Sequence, residues 1–190
     1  MLYKDLANSV TCVDWVNSPH EIAHIDVAAN LNEPLPLPSS SFDVVLLSDV
    51  MEHIARPWVL WSEMARVLKP GGRLIGNVPF LYWIHEAPHD YHRYTGFALE
   101  RYALDNGFEP KIEVIGGLLE VLGDVFSKLL NRIPIVGSGA ARVLSAVCFA
   151  ISKTGPGRKL MQKSGVFFPL AYGFVMTRSS NPELPGPPPR

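Results

Sequence analysis

The sequence predicts one α/β domain built on a doubly wound, mostly parallel sheet, and three observations carry that prediction. The run FDVVLLS (Phe42–Ser48) is continuously apolar after its acid, as expected of a parallel strand covered on both faces. Helical spacing comes next in PWVLWSEMARVL, and then another strand-like run, RLIGNV. Alternation of strand and helix implies crossover connections and hence parallel pairing. The 190 residues are 47% hydrophobic and 18% charged, which suffices for a sizeable core in a single domain over residues 1–178.

In chain order, Ser9–Trp15 (SVTCVDW) is a β-branched run ending beside an acid and reads as a buried strand; Ala23–Ala28 is a weaker second candidate. NEPLPLPSSS is a Pro/Ser loop before the Phe42–Ser48 strand. Pro57–Leu68 places Val59, Leu60, Met64, Val67 and Leu68 on one side of a helix. Pro57 suits its first turn, and Lys69-Pro70-Gly71-Gly72 ends it. Arg73–Val78 is a strand. Thr95–Asn106 is a helix with Thr95 as N-cap and Gly107 closing it. Lys111–Ile115 and Phe167–Met176 are two closing strands, with a helical insertion or lid over 116–165 between them.

Composition excludes some functions. A net charge of −1 offers no basic field for nucleic acid. Cys12 and Cys148 have neither metal nor disulfide spacing, which fits a reducing, cytoplasmic setting, and the opening MLYKDLANSV has no signal-length apolar core. The Pro-rich end, 179–190, reads as a disordered tail. Ile133–Ile151 approaches membrane-spanning length, but Arg142 lies near its middle, at an insertion cost of about 2.5–3.5 kcal/mol. Within 116–151, Leu118, Leu119, Leu122, Val125, Phe126, Leu129 and Leu130 recur at helical spacing. Such a face suits a peripheral membrane or lipid-linked substrate, a lid over the acceptor, or a homo-oligomer contact.

The stretch HEAPHDYHRYT (His85–Thr95) matches His-Glu-x-x-His, the spacing of a zinc protease helix. Pro88 falls inside the turn that this chemistry needs to be helical, and no third-ligand pattern comes after it, so the segment reads as a loop. A second cluster is Asp49-x-x-Glu52-His53, whose i, i+3 and i+4 spacing shares one face if the turn is helical and could hold a divalent ion. The preferred reading gives Glu52 and His53 the task of shaping a turn, and no metal is assigned. In open α/β sheets ligands bind at the carboxyl ends of the strands, which selects Asp14, Asn30, Ser48–His53 and the loop after Val78.

Over FDVVLLSDVMEHIARPWVLWSEMARVLKPGGRLIGNVPF the chain resembles class I S-adenosylmethionine-dependent methyltransferases of the type 11 group. The shared features are the LPLPSSSFD loop, the apolar strand, Met51-Glu52-His53, Arg66–Gly72 and Val78-Pro79. The continuation through PHDYHRYT is similar to a subgroup associated with surface-polysaccharide or lipid-linked sugar genes. The resemblance implies a Rossmann-like fold, S-adenosyl-L-methionine as cofactor, and methyl transfer to an oxygen of a glycan or small-molecule acceptor.

By position, it implies that Asp14 holds the ribose hydroxyls and that Asn30 and Leu31 face the adenine. Ser48 would meet the methionine part through its backbone, with Asp49 and His53 on the same cofactor side. His89 is the preferred general base, with His85 and Asp90 as further catalytic candidates, and Tyr91, His92, Arg93 and Tyr94 recognise the acceptor. One departure stands out. LYKDLANSVTCVDW corresponds to the segment immediately after the family's first strand and acid-Gly-x-Gly turn, and neither that strand nor that turn is present. The late Gly-rich IPIVGSGAA lacks the acid and is a poor substitute. The expected sheet is therefore N-terminally truncated, and the alternative function is an inactive binding or assembly module.

Overall fold

The structure is a computed structural model, and it describes residues 7–15, 25–134 and 137–180. Strands β1 (Val13–Asp14) and β2 (Val27–Ala28) form a parallel pair of their own. The main sheet has four strands in the order β3-β4-β6-β5: β3 (Phe42–Ser48), β4 (Leu68–Pro79), β6 (Ala171–Arg178) and β5 (Phe108–Ile115). β3 pairs with β4 in parallel, while β6 runs antiparallel to both its neighbours. The α/β class is as the alternation implied, but the sheet is mixed.

Helix α1 (Pro57–Val67) starts with Pro57, where a missing N–H costs nothing, and ends as Leu68 turns extended. It buries Leu60, Trp61, Met64 and Val67. These join Leu47, Leu74, Val78, Phe174 and Met176 in one core. Helix α2 (Gly96–Asp105) is capped as its sequence suggests: Thr95 Oγ1 accepts from Ala98 N at 3.1 Å. It closes at Gly107, where φ is +83°. The ring of Trp61 stacks on Tyr102 of α2 and meets Phe108 of β5 edge-on, with centroids 5.9 and 6.0 Å apart. Gly76 is required by packing, since a Cβ there would stand 2.0 Å from Leu47 O and 2.7 Å from the Phe174 ring.

The Pro/Ser loop is tied to α1 by one hub. Glu63 Oε2 accepts from Leu35 N at 2.6 Å and from Arg66 Nη2 at 2.6 Å, and Arg66 also donates to the carbonyls of Leu35 and Leu37. Arg66 beside it holds the Glu63 carboxyl below its usual range. Beyond β5 come α3 (Leu118–Leu130), α4 (Gly137–Lys153) and α5 (Gly155–Gly165), which pack chiefly on one another. Among the described residues no helix is long and apolar enough to cross a membrane.

Three expectations need correction. The Ser9–Trp15 run is not a buried strand: among the described residues only Val13 and Asp14 pair, in a two-stranded sheet apart from the main one, and Asp14 is exposed. β3 is not covered on both faces. α1 and α2 pack on the side bearing Leu47, leaving Val44 46% and Leu46 45% exposed. The final strand begins at Ala171, not Phe167; Phe167 and Phe168 lie exposed in the turn before it. The start of the Ala23–Ala28 candidate, part of IPIVGSGAA and all but two residues of the Pro-rich tail lie outside the described residues.

Candidate active site

The polar residues gather where β1, β3 and β4 end. β3 runs into a 3-10 turn, Met51–His53, through Asp49, which adopts φ +51°. The Asp49 carboxylate accepts from Asn77 Nδ2 at 2.7 Å, while Ser48 Oγ donates to Asn77 Oδ1 at 2.8 Å. Asn77, at the end of β4, therefore joins the two residues that leave β3. The Asp49 carboxylate is thus engaged by Asn77, and it is not among the ligand atoms that Glu52 and His53 bring together.

The 85–94 segment is a loop, as Pro88 required, and its backbone docks on the turn. Tyr91 N and His92 N both donate to Glu52 O, at 2.9 and 3.1 Å. Inside it, Asp90 is a fixed anion: Arg93 donates to both of its oxygens, at 2.5 and 2.7 Å, and His85 N donates at 2.9 Å. The Arg93 guanidinium beside Asp90 is the main reason its carboxyl is pushed down to about 2. So low a value makes Asp90 a weak base at neutral pH and a strong loop anchor. Arg93 also donates to the carbonyls of Tyr82, Trp83 and His92, so its donors hold the loop in shape.

His89 is exposed, its Nδ1 lies 3.1 Å from Tyr91 Oη, and its ring meets Trp15 edge-on at 5.4 Å. That contact brings the end of β1, hence Asp14, to the loop. Tyr91 is exposed beside it, whereas Tyr94 is buried and donates to Met51 O at 3.3 Å. Burial pushes the Tyr94 hydroxyl well above its usual range. His92 is half-buried, packed against Tyr94.

His85 points the other way, toward Glu52. Its Nε2 is 3.7 Å from Glu52 Oε1, and His53 Nε2 is 3.8 Å from the same oxygen. Glu52 is fully buried, and burial raises its carboxyl to about 7.

On the cofactor side, the exposed Asp14 accepts from Trp15 N at 2.7 Å through Oδ1. The Asn30 amide is engaged locally: Oδ1 accepts from Asn32 N and Nδ2, and Nδ2 donates to Glu33. Leu31 is half-buried against the core. Sequence reasoning missed Asn77, Trp15 and Lys128. Asn77 is one polar residue within a predicted strand, and Lys128 stands out only because its Nζ lies 3.4 Å above the Tyr82 ring.

Residues 2–76 match the family model described as "Methyltransferase domain". Over that segment the chain is similar to class I S-adenosylmethionine-dependent methyltransferases. It is 36% identical over 92 residues to an uncharacterized methyltransferase of Mycolicibacterium paratuberculosis, covering 46% of this chain and 35% of that protein. A methyltransferase of Mycolicibacterium vanbaalenii is 35% identical over 107 residues, 54% of this chain and 41% of the relative. The matches thus span well under half the length of these relatives. In fold, the chain is similar to a putative sarcosine dimethylglycine methyltransferase from Galdieria sulphuraria. The TM-score is 0.51 at 20% identity, over 83% of this chain and 60% of that one.

Proposed function

We propose that this methyltransferase transfers a methyl group from S-adenosylmethionine to an oxygen of a glycan or small molecule, with the 85–94 loop as the acceptor side. The observation that carries the reading is the position of His89: exposed, backed by Trp15 from the end of β1, and hydrogen-bonded to Tyr91. The cofactor would supply a methyl on a sulfonium, a leaving group that needs no acid. What remains for the protein is orientation and, for a hydroxyl acceptor, removal of one proton. His89 is the group placed to take that proton. Asp90 and Arg93 position the loop, and Tyr91 and His92 offer polar contacts to the acceptor.

The exposed carboxylate of Asp14 fits a pair of ribose hydroxyls. Leu31 and the backbone around Asn30 fit the adenine better than the Asn30 amide, whose oxygen and one of whose N–H groups are engaged locally. Calorimetry of the chain with S-adenosylmethionine tests the cofactor side. Binding that is lost in Asp14→Ala supports the reading, and no binding at millimolar ligand sinks it for this chain. Methyl transfer that falls at least tenfold in His89→Gln, with cofactor affinity unchanged, would identify the base.

The amphipathic face of α3 extends the proposal to a lipid-linked acceptor or a membrane surface. Leu122, Val125, Phe126 and Leu129 are 43–57% exposed, and Lys128 of the same helix touches the aromatic Tyr82 and Trp83 before the acceptor loop. A second reading, a non-catalytic binding module, is favoured by a different observation. The outer edge of β3 is unpaired among the described residues, and β1-β2 forms a separate sheet. An unchanged heat signal with cofactor, together with self-association on sedimentation, would select it.

A further inference from the structure

We propose that Glu52, His53 and His85 form a binding site for a divalent first-row transition-metal ion, zinc foremost. The ligand atoms of Glu52, His53 and His85 all lie within 4.8 Å of one another. Glu52 Oε1 is 3.7 Å from His85 Nε2 and 3.8 Å from His53 Nε2, and Glu86 Oε2 is 3.7 Å from His53 Nε2. Ligands about 2.0–2.1 Å from a tetrahedral ion stand ~3.3 Å apart. Closing the cluster on an ion thus asks the two imidazoles to approach Glu52 by about 0.4–0.5 Å, and no pair of ligand atoms to close by more than about 1.5 Å, through side-chain rotation.

An independent observation points to a ligand at the same place. Glu52 is 0% exposed, and neither of its carboxylate oxygens has a hydrogen-bond partner among the described residues. Burial without partners strongly disfavours a charged carboxylate, because the water it gives up is replaced by nothing. Two imidazoles at 3.7–3.8 Å are too far to satisfy it by hydrogen bonds. A cation between them would satisfy it.

The surroundings have the form of an outer ligand shell. His53 Nδ1 lies 2.8 Å from the carbonyl of His89, which fixes the proton on Nδ1 and leaves the Nε2 lone pair facing the cluster. Asp90 Oδ2 lies 3.4 Å from His85 Nδ1, within ion-pair reach but without a hydrogen bond. Two imidazoles favour zinc or a neighbouring ion over magnesium or calcium, and the Glu52 carboxylate would balance part of its charge. His85 and His53 keep side-chain exposures of 22% and 16%, so an ion and a further oxygen ligand can enter. If the loop takes the acceptor as proposed above, that further ligand is the acceptor oxygen. The metal site itself does not depend on that reading.

Titrating chelator-stripped protein with Zn²⁺ by calorimetry, and with Co²⁺ by visible absorption, tests the site directly. One ion per chain is expected. His53→Ala and His85→Ala should each weaken Zn²⁺ binding by at least about 100-fold, since loss of mere outer-shell partners already costs 10–100-fold. Glu52→Gln should weaken it at least tenfold, while a Cys12→Ser/Cys148→Ser double variant should bind as the wild type does. X-ray absorption of the zinc-loaded wild-type chain should show two imidazole nitrogens with oxygen donors, and it decides the matter if a variant fails to fold. No zinc binding, sulfur donors, or affinity unchanged in both histidine variants would overturn the proposal. A chain that binds no zinc yet transfers methyl groups would overturn the metal site and leave the proposed activity standing.

Discussion

The sheet body and the three-helix unit use similar apolar composition to opposite ends. In the body, Trp61, Leu60, Val67, Leu74, Leu99 and Met176 are all at most 1% exposed and belong to one cluster. In α3–α5, Leu122, Phe126, Leu129, Val147 and Phe149 are all more than 40% exposed, and the contacts between helices fall on small residues. There Ser127 Oγ meets Ser145 Oγ at 2.8 Å, and Gly123 lies against Cys148. The body is held by its own core. The helical unit leaves much of its apolar surface exposed.

Substitutions can break that contrast, and the largest effect is expected at Trp61. Trp61→Ala removes the ring between Tyr102 and Phe108 and should cost about 3–5 kcal/mol in urea unfolding. A loss under 1 kcal/mol would mean that the body is not where stability resides. Glu63→Gln comes next, at about 2–3 kcal/mol, because it weakens the charged bonds to Arg66 and Leu35 N together.

Glu63 also carries a pH signature. Its folded carboxyl lies below its unfolded value of about 4.3, so its stabilisation is present above that pH. That stabilisation is lost as pH falls through the folded value. Unfolding midpoints measured from pH 6 down to 3 should decline less steeply in Glu63→Gln than in wild type.

Thr95→Ala removes the side-chain acceptor for Ala98 N and should cost about 1 kcal/mol, read from the same unfolding curves. The smallest stability effect is expected in the helical unit. Phe126→Ser and Leu129→Ser should change stability by about 0.5 kcal/mol or less, since neither side chain is buried. Those two variants should nevertheless reduce co-sedimentation with anionic vesicles if α3 meets lipid. A large loss of stability instead would show that these residues are core.

Sequence signals are legible where the chemistry is local. Pro57, Thr95 and Gly107 mark helix ends through φ restriction, a side-chain oxygen and a left-handed backbone, none of which needs a distant partner. Burial is not legible in the same way at β3 and at Ser9–Trp15, because an apolar run reveals only what could be covered, not what covers it. In the site, Pro88 correctly rules out a protease helix. Yet His85 still ends beside a carboxylate and a second imidazole that lie far from it in the chain. Spacing groups Asp49 with Glu52 and His53, but the structure engages Asp49 with Asn77 and brings His85 to the other two instead.

From sequence alone came the α/β class, the ends of the helices at Pro57 and Thr95 and the resemblance to methyltransferases, since periodicity, caps and ordered motifs are properties of neighbouring residues. Tertiary structure decided the rest. It placed β6 antiparallel between β4 and β5, spent Arg93 on Asp90, and buried the Glu52 carboxylate against two imidazoles. Those outcomes depend on which surfaces meet, and on a desolvation that exists only once the loop has docked on the turn.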